Sequence, residues 1–183
     1  MSAPEIKLTG VPELETERLR MRAPIAKDWP AYRDLMTSER AKYLGGPHTP
    51  GRAYKEFSVE IAHWVIHGAG PWMLCLKGTD DAIGLVGPYH PEGWPEREIG
   101  WMIFEGGEGH GYAFEAAVAS RHWAYTEGGW ESAVSYIGQG NTRSIALAER
   151  LGAVLDEAAT PLDPGDLVYR HPSAADLGLR GVV

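Results

Sequence analysis

Hydrophobic residues alternate or run together in some stretches of the chain and recur at helical spacing in others. Residues 98–104, EIGWMIF, are typical of a strand, and apolar residues from position 112 onward follow a helical period. The same succession is repeated in residues 132–152, where SAVSYI predicts a strand and the stretch after Asn141 predicts a helix that ends at Gly152. The pattern therefore predicts a β-loop-α-β-loop-α unit.

Upstream of this unit, the pattern predicts a strand followed by two helices. Residues 14–22, LETERLRMR, predict the strand because apolar residues alternate with arginines. Asp28 is placed to cap the first helix, whose predicted apolar face is Trp29, Tyr32, Leu35 and Met36. Thr49 and Pro50 are typical of a helix start, and the predicted stripe of this second helix is Tyr54, Phe57, Ile61, Trp64 and Val65.

Strands are predicted on both sides of the central unit. The segments PWMLCLK (71–77) and AIGLVGPYH (82–90) predict two strands that form an antiparallel meander with residues 98–104. Two further short strands are expected near Val154 and in residues 167–169.

Length limits the domain organisation. A chain of 183 residues is long enough to bury a sizeable core, and no repeat or linker divides it. We expect a flexible lead in residues 1–13, a single domain in residues 14–172, and a poorly ordered tail in residues 173–183.

Composition excludes some classes of protein. The net charge of −8 argues against nucleic-acid binding by phosphate neutralisation. No run of about 18 apolar residues predicts a membrane span, and the N-terminus lacks the apolar segment of a secretory signal. The single cysteine, Cys75, is expected to be a small buried apolar residue, and one cysteine suits a reducing cytosol. A cytoplasmic location is therefore expected.

Glycines crowd the junction between the strand at 98–104 and the helix that follows, at positions 106, 107, 109 and 111. The first amide groups of a helix have no partner within it and lie at the positive end of its dipole, so this junction predicts a phosphate site. A P-loop would need Lys and Ser or Thr after the glycines, and a dinucleotide fingerprint would need a third glycine where Phe114 or Tyr112 stands. Neither common motif is present.

Two segments, GHGYAFEA and NTRSIALAERLG, resemble the GNAT N-acetyltransferase superfamily, and in particular the branch that includes the ribosomal-protein N-terminal acetyltransferases. TERLRMR resembles the opening strand of the same branch, so the resemblance extends from about residue 14 to about residue 170. It implies a mixed α/β fold with a central, mostly antiparallel twisted sheet of six to seven strands flanked by about four helices.

The resemblance also implies a binding site for acetyl-CoA. The turn Gly111-Tyr112-Ala113, with Gly109 and His110 before it, corresponds to the pyrophosphate loop, although Glu108 stands where the family has Gln, Arg or Trp. The backbone groups of Met102, Ile103 and Phe104 would pair with the pantetheine arm in a gap between two splayed strands. Asn141 and Ser144 would contact the cofactor arm from the last helix.

For catalysis, the resemblance places Ser144 as the acid that protonates the leaving thiolate, since Ala148 stands where many relatives have a tyrosine. Serine at a helix start is also often a capping residue. Glu98 is the candidate base, because it shares a strand face with Glu96, and one of two neighbouring acids near a cleft can have a raised pKa. A solvated acid, with a water chain as the base, is the alternative.

The predicted function is acetyl-CoA-dependent transfer of an acetyl group to a primary amine, on a protein N-terminus or a small molecule. Transfer is expected to be direct, through a ternary complex of enzyme, acetyl-CoA and amine. The protein is expected to be a monomer or a homodimer. Trp94, Tyr89 and His90 are expected to line the acceptor pocket. His63 and His67 have the spacing of two metal ligands, but without a third ligand we expect no metal. A non-catalytic acyl-CoA-binding protein and an unrelated nucleotide-binding domain are the alternatives.

Overall fold

The protein, described by a computed structural model over residues 8–179, is built on an eight-stranded sheet. The strands are β1 (Leu14–Glu15), β2 (Leu19–Arg22), β3 (Trp72–Leu76), β4 (Ala82–Tyr89), β5 (Glu98–Ile103), β6 (Val134–Gly138), β7 (Val154–Leu155) and β8 (Asp166–Arg170). Their order across the sheet is β1-β2-β3-β4-β5-β6-β8-β7. Neighbouring strands are antiparallel, except that β5 and β6 run parallel.

Four α-helices accompany the sheet within residues 8–179: α1 (Trp29–Met36), α2 (Pro50–His67), α3 (Tyr112–Thr126) and α4 (Thr142–Arg150). The predicted mixed α/β class, with a mostly antiparallel sheet and four helices, is confirmed. The sheet has one strand more than expected because residues 14–22 form two short strands, in which Leu14 pairs with Met21 and Glu15 with Arg20.

The helices cover both faces of the central strands. Met73, Leu85 and Met102 are in register on β3, β4 and β5, and they pack with residues of α1 and α2. On the opposite face, Val86 and Ile99 pack with apolar residues of α3. Side chains along each central strand therefore alternate between the two helical layers, so β5 presents residues to both layers.

The N-terminus of α1 differs from the prediction. Asp28 precedes the helix as expected, but its side chain makes no capping hydrogen bond to α1. Instead, the carboxylate accepts hydrogen bonds from the buried guanidinium of Arg22, at 2.7 and 2.8 Å, and from the Ile25 N–H at 2.9 Å. The predicted cap is wrong because the buried arginine needs the carboxylate as its partner.

The ends of α2 are confirmed by local geometry. Thr49 Oγ1 accepts a hydrogen bond from the Arg52 N–H at 3.3 Å, and Pro50 is the first helical residue. Gly68, with φ of 65°, follows the last residue of the helix, where a left-handed conformation favours glycine.

The buried face of α2 contains part of the predicted stripe, since the exposed fractions of Phe57 and Trp64 are 4% and 7%. Tyr54 and Val65 were assigned to the apolar stripe, but their exposed fractions are 58% and 69%. Glu60 and His63 are buried in their place, with exposed fractions of 8% and 6%. The helix therefore directs a carboxylate and an imidazole, alongside two of the predicted apolar side chains, toward the body of the protein.

The C-terminal segment also departs from the prediction. Ala174 is buried, and its N–H donates to the Glu131 carbonyl at 2.9 Å. Leu179 contacts the core on the α3 side. The expected poorly ordered tail is therefore wrong for residues 173–179, whereas residues 180–183 and residues 1–7 of the expected lead lie outside the described part of the chain.

Candidate active site

The parallel strands β5 and β6 separate soon after they meet. They are paired at one register position, Glu98 opposite Val134, and the Val134 N–H donates to the Arg97 carbonyl at 2.9 Å. Continued pairing would join the Tyr136 N–H to the Ile99 carbonyl. Both groups have other partners instead. Ser135 Oγ donates to the Ile99 carbonyl at 2.6 Å, and the Glu98 carboxylate accepts from the Tyr136 N–H at 3.2 Å. A gap therefore opens between the two strands.

Backbone N–H and carbonyl groups along β5 point alternately toward β4 and toward the gap. The Phe104 N–H donates to the Ile83 carbonyl at 2.9 Å and is therefore used in pairing with β4. Backbone groups alternate between the two neighbours of a strand, so those of Met102 also point to β4, and those of Trp101 and Ile103 point to the gap. The predicted backbone contacts of Met102 and Phe104 are thus wrong, and Trp101 is a residue that the sequence reasoning missed.

A side-chain bridge crosses the gap near α4. Trp101 Nε1 donates to the hydroxyl of Ser144 at 3.2 Å, and Ser144 lies in the first turn of the helix. Asn141 Oδ1 accepts from the Ser144 N–H at 3.3 Å and so forms the N-cap. The structure therefore brings Ser144 to the gap, with its own proton available for donation. Ala148 is fully buried behind it, so no hydroxyl acid occurs at that position.

The glycine-rich loop connects β5 to the N-terminus of α3. Gly111 precedes the first helical residue, Tyr112, with φ of 80°, a value that favours glycine. A Cβ atom at Gly106 or Gly109 would meet nothing within 4 Å, so the loop is open on this side. The first-turn amides of α3, which include those of Tyr112 and Ala113, lack partners within the helix. These features fit a diphosphate group, as the sequence predicted for this loop.

A cation that the sequence reasoning missed lies beside this loop. Arg18, just before β2, donates from Nη1 to the His110 carbonyl at 3.0 Å, and its guanidinium carbon lies 4.7 Å from the centre of the Tyr112 ring. Its Nε donates to Glu115 at 2.7 Å. Arg18 is part of the TERLRMR segment, which the sequence reasoning did identify. Its position beside the loop could not be predicted, because it depends on the packing of segments that are distant in the sequence. Because Glu115 compensates the charge of Arg18, this arginine orders the loop through the His110 carbonyl and adds little net positive charge there.

Glu108, the unexpected acid of the loop, is paired with two cations. Its Oε1 lies 2.9 Å from Arg40 Nη2 and 3.2 Å from Arg143 Nη1, and Arg40 also donates to the Ile103 carbonyl at 3.1 Å. Arg143 belongs to the first turn of α4, so this cluster spans the wide end of the gap. The acid is therefore neutralised within the protein, and the loop region is not anionic overall.

Glu98, the predicted base, lies at the closed end of the gap. Its exposed fraction is 8%, and no ion pair involves it within residues 8–179. Burial raises the pKa of Glu98 to about 8, an effect that the hydrogen bond from Tyr136 reduces and that the nearby carboxylates of Asp166 and Glu60 increase. A carboxylate with a pKa in this range can accept a proton from an ammonium group.

A buried polar cluster extends from Glu98 toward α2. Tyr89 lies directly opposite Glu98 in the β4–β5 register, and its ring contacts the His63 ring edge-on at 5.3 Å. The Tyr32 hydroxyl donates to Glu60 Oε1 at 3.2 Å. Of the residues expected at the acceptor side, Trp94 stacks on Tyr89 with 6.1 Å between ring centres, whereas His90 is exposed. Glu60 and Tyr32 were missed, since the predicted stripe of α2 excluded Glu60.

Several other predictions concern residues outside this site. Cys75 is buried in β3, as predicted. Within residues 8–179, no group of three or more His, Cys, Asp or Glu side chains has a metal-binding arrangement. No helix in the same range is long and apolar enough to cross a membrane. A cavity of about 920 Å³ lies beside α3 and the β1–β2 turn and reaches the loop at His110 and Gly111.

Comparison with known proteins identifies the family. The acetyltransferase (GNAT) domain model matches residues 18–154. The crystal structure of an acetyltransferase from Agrobacterium tumefaciens shares 42% sequence identity and a TM-score of 0.85, over 93% of this chain and 99% of that one. The uncharacterized protein YkkB of Bacillus subtilis is 33% identical over 109 residues, which are 58% of this chain and 63% of that protein.

A more distant structural similarity concerns the fold. RimL, a ribosomal-protein acetyltransferase solved in complex with coenzyme A, has a TM-score of 0.67 and 19% identity, over 88% of this chain and 96% of that one. At this identity the similarity shows a shared fold. The family match, which extends from β2 to the end of α4, covers the loop, the gap and both helices that flank it. The chain belongs to the GNAT family of acetyltransferases.

Proposed function

We propose that this protein is an acetyl-CoA-dependent N-acetyltransferase that moves an acetyl group directly to a primary amine. The observation that carries the proposal is the position of Glu98, a buried carboxylate without an ion-pair partner in the described residues, at the closed end of the β5–β6 gap. The glycine-rich loop at the start of α3 and the Ser144 hydroxyl lie along the same gap. The gap therefore has a candidate base, a candidate site for the diphosphate of the acyl donor and a candidate proton donor for the leaving sulfur.

The loop and the gap supply the binding groups for the acyl donor. The first-turn amides of α3, at Tyr112 and Ala113, would hold the diphosphate, with Gly109, His110 and Gly111 providing an open approach. The N–H of Ile103 and the N–H and carbonyl groups of Trp101 would pair with the pantetheine arm, since they face away from β4, whereas the Ile103 carbonyl accepts a hydrogen bond from Arg40. Bound acetyl-CoA supplies an activated thioester carbonyl group.

The proton balance assigns a role to each polar side chain. An acceptor ammonium group loses one proton to the Glu98 carboxylate, and the freed nitrogen lone pair forms the C–N bond while the C–S bond breaks. The Ser144 hydroxyl donates its proton to the departing sulfur, and the second proton of the nitrogen restores the hydroxyl. Glu98 then releases its proton to solvent. The net products are the N-acetyl amine, the free thiol and one proton.

The non-catalytic alternative has less support than it had from the sequence. Its support in the sequence was the departure from the family pattern at Glu108 and at Ala148. Because Glu108 is paired with Arg40 and Arg143, its charge is compensated. The absence of a tyrosine at position 148 is compatible with Ser144 as the proton donor.

Thermal stability with and without ligands tests the cofactor assignment. A ligand well above its Kd stabilises the folded state by mass action. We expect acetyl-CoA and free CoA to raise the unfolding temperature, and ATP and NAD to leave it unchanged. Stabilisation by ATP or NAD without an effect of CoA would contradict the proposal and favour an unrelated nucleotide-binding protein.

A further inference from the structure

Glu60 has no role in the site described above, yet it is buried in an unusual way. Its exposed fraction is 8%, and Oε1 accepts one hydrogen bond from Tyr32. The Tyr89 hydroxyl group also favours the charged form of this carboxylate, but Oε2 makes no hydrogen bond of acceptable geometry to any described residue. A buried carboxylate oxygen without a partner costs free energy, so such a group calls for a physical explanation.

Glu60 and Glu98 belong to one cluster. Tyr89 is opposite Glu98 on the neighbouring strand, and its ring contacts the ring of His63, which lies one turn after Glu60 on α2. Gly100 makes room for this arrangement, because a Cβ atom there would lie 2.9 Å from the Tyr89 ring. The negative charge of Glu60 adds to the effect of burial and of Asp166 in raising the pKa of Glu98.

The cluster lacks a cation of its own among the described residues. No Lys or Arg lies within ion-pair distance of Glu60 or Glu98 there. His63 contacts Tyr89, but burial, together with the neighbouring His67, lowers the pKa of His63 and favours its neutral form. Two buried acids, three aromatic rings from Tyr32, Tyr89 and Trp94, and no counter-charge form an environment suited to a small cation.

We propose that Glu60 is an acceptor-binding residue, and that its free carboxylate oxygen and the carboxylate of Glu98 together receive the primary ammonium group of the acceptor. This inference rests on the proposed function, and it narrows the acceptor to amines that carry a positive charge when they bind. An ammonium group has three N–H donors, so it can satisfy Glu60 Oε2 and Glu98 at once and leave a third donor for a neighbouring oxygen. Glu98 takes the proton, and Glu60 holds the group in place.

The chemical class of the acceptor follows from the same arrangement. A primary aliphatic amine is protonated at neutral pH and offers three donors, whereas a quaternary ammonium group offers none. Alcohols carry no charge to compensate two acids. We therefore expect aliphatic primary amines, including peptide N-termini, to be acceptors, and we expect hydroxyl compounds not to be acetylated.

A binding experiment tests this inference independently of turnover. Methylammonium chloride and tetramethylammonium chloride, at equal concentration and about pH 8, are compared for their effect on the unfolding temperature. We expect methylammonium to stabilise the parent protein more than tetramethylammonium, and this difference to disappear in the Glu60→Gln variant. The matched control is Glu56→Gln, one turn earlier on α2, where the carboxylate pairs with Arg52. Equal effects of both salts on the parent would overturn the inference.

Kinetics separate this inference from the proposed function. For the best primary amine found with the parent, the Glu60→Gln variant should raise the KM for the amine at least about tenfold and leave the Kd for acetyl-CoA unchanged. An unchanged KM in a variant that unfolds at the parent's temperature would show that Glu60 has only a structural role, and the proposed function would stand. If no amine is acetylated, the proposed function fails, and the methylammonium comparison alone decides whether the cluster binds a cation.

Discussion

The Glu98 carboxylate accepts a hydrogen bond from the Tyr136 N–H at 3.2 Å, across the point where β5 and β6 separate. This N–H would otherwise donate to the Ile99 carbonyl, which the Ser135 hydroxyl contacts instead. The Glu98 side chain therefore ends the hydrogen-bonded pairing of β5 with β6, and it places a carboxylate at the end of the gap. The structural and the catalytic roles of Glu98 are linked by this contact.

Replacement of Glu98 by Gln should remove the base with little change in shape. Since the raised pKa of Glu98 is about 8, kcat/KM of the parent should rise with pH until about that value. The Glu98→Gln variant should lose about 100-fold in kcat, in line with the contribution of a positioned base, and should lose this pH dependence. Glu92→Gln, in the exposed β4–β5 turn, is the control. A variant with the parent's pH profile would show that water is the base.

The same substitution should change how stability depends on pH. The pKa of Glu98 is raised on folding, from 4.5 to about 8, so the folded state holds its proton more tightly than the unfolded state. The contribution of Glu98 to the free energy of unfolding should therefore be largest below about pH 4.5 and fall as the pH rises to about 8. Thermal unfolding across this range should show a shallower fall in Glu98→Gln. A parallel pH dependence in both proteins would contradict the buried environment of this carboxyl group.

Replacement of Ser144 by Ala should affect turnover rather than donor binding. The hydroxyl is the candidate proton donor, so we expect kcat to fall on the order of 100-fold and the Kd for acetyl-CoA to stay unchanged. Trp101 Nε1 would lose its acceptor, at a cost of about 1–3 kcal/mol in stability. The control is Ser58→Ala, on the exposed face of α2. This substitution removes a hydroxyl group that donates a hydrogen bond to the Tyr54 carbonyl of the same helix. A parent-like kcat would remove Ser144 as the acid.

Replacement of Gly111 by Val should weaken CoA binding strongly. A branched side chain would stand at the start of α3, where the diphosphate should approach the backbone, and φ of 80° adds a cost of about 1–2 kcal/mol to folding. Gly165→Val carries the same kind of backbone cost, with φ of 96° and open space around it, but lies before β8. Calorimetry should show at least about tenfold weaker CoA binding in Gly111→Val alone. Equal affinity in the two variants would contradict the loop assignment.

Replacement of Glu108 by Gln should strengthen CoA binding several-fold. The substitution frees Arg40 and Arg143 from their shared partner and removes a negative charge near the expected diphosphate. Glu105→Gln, an exposed acid of the same loop, makes the same change in net charge and should have a smaller effect. The affinity gain should shrink as the ionic strength rises. Weaker CoA binding in Glu108→Gln would instead show that this acid organises the loop.

Local signals in the sequence predicted much of the fold. Thr49 and Pro50 predicted the start of α2, and Asn141 predicted the start of α4, because capping depends on a few neighbouring residues. The burial of Glu60 could not be predicted in this way. It depends on Tyr89, which comes from a strand that the helix meets only in the folded protein.

The candidate site was predicted in outline, and its details depend on strand register. The glycine-rich loop and Ser144 were found from motifs that lie close together in the sequence. Whether the backbone groups of Met102 or those of Ile103 face the gap depends on which of the two residues is hydrogen-bonded to β4. The alternation of residues along a strand does not reveal this register. The pairing of Glu108 with Arg40 and Arg143 joins three distant segments, so no local pattern predicts it.

The most direct test of the proposed function is the stoichiometry of acetyl transfer. The protein is incubated with acetyl-CoA and a set of amines, such as a short diamine, benzylamine and a peptide with a free N-terminus, and thiol and N-acetyl product are measured by mass spectrometry. We expect equal molar amounts of thiol and N-acetyl amine for at least one acceptor, formed far more slowly by Glu98→Gln. Tight binding of acetyl-CoA that is recovered intact with every amine would contradict the assignment and identify a binding protein.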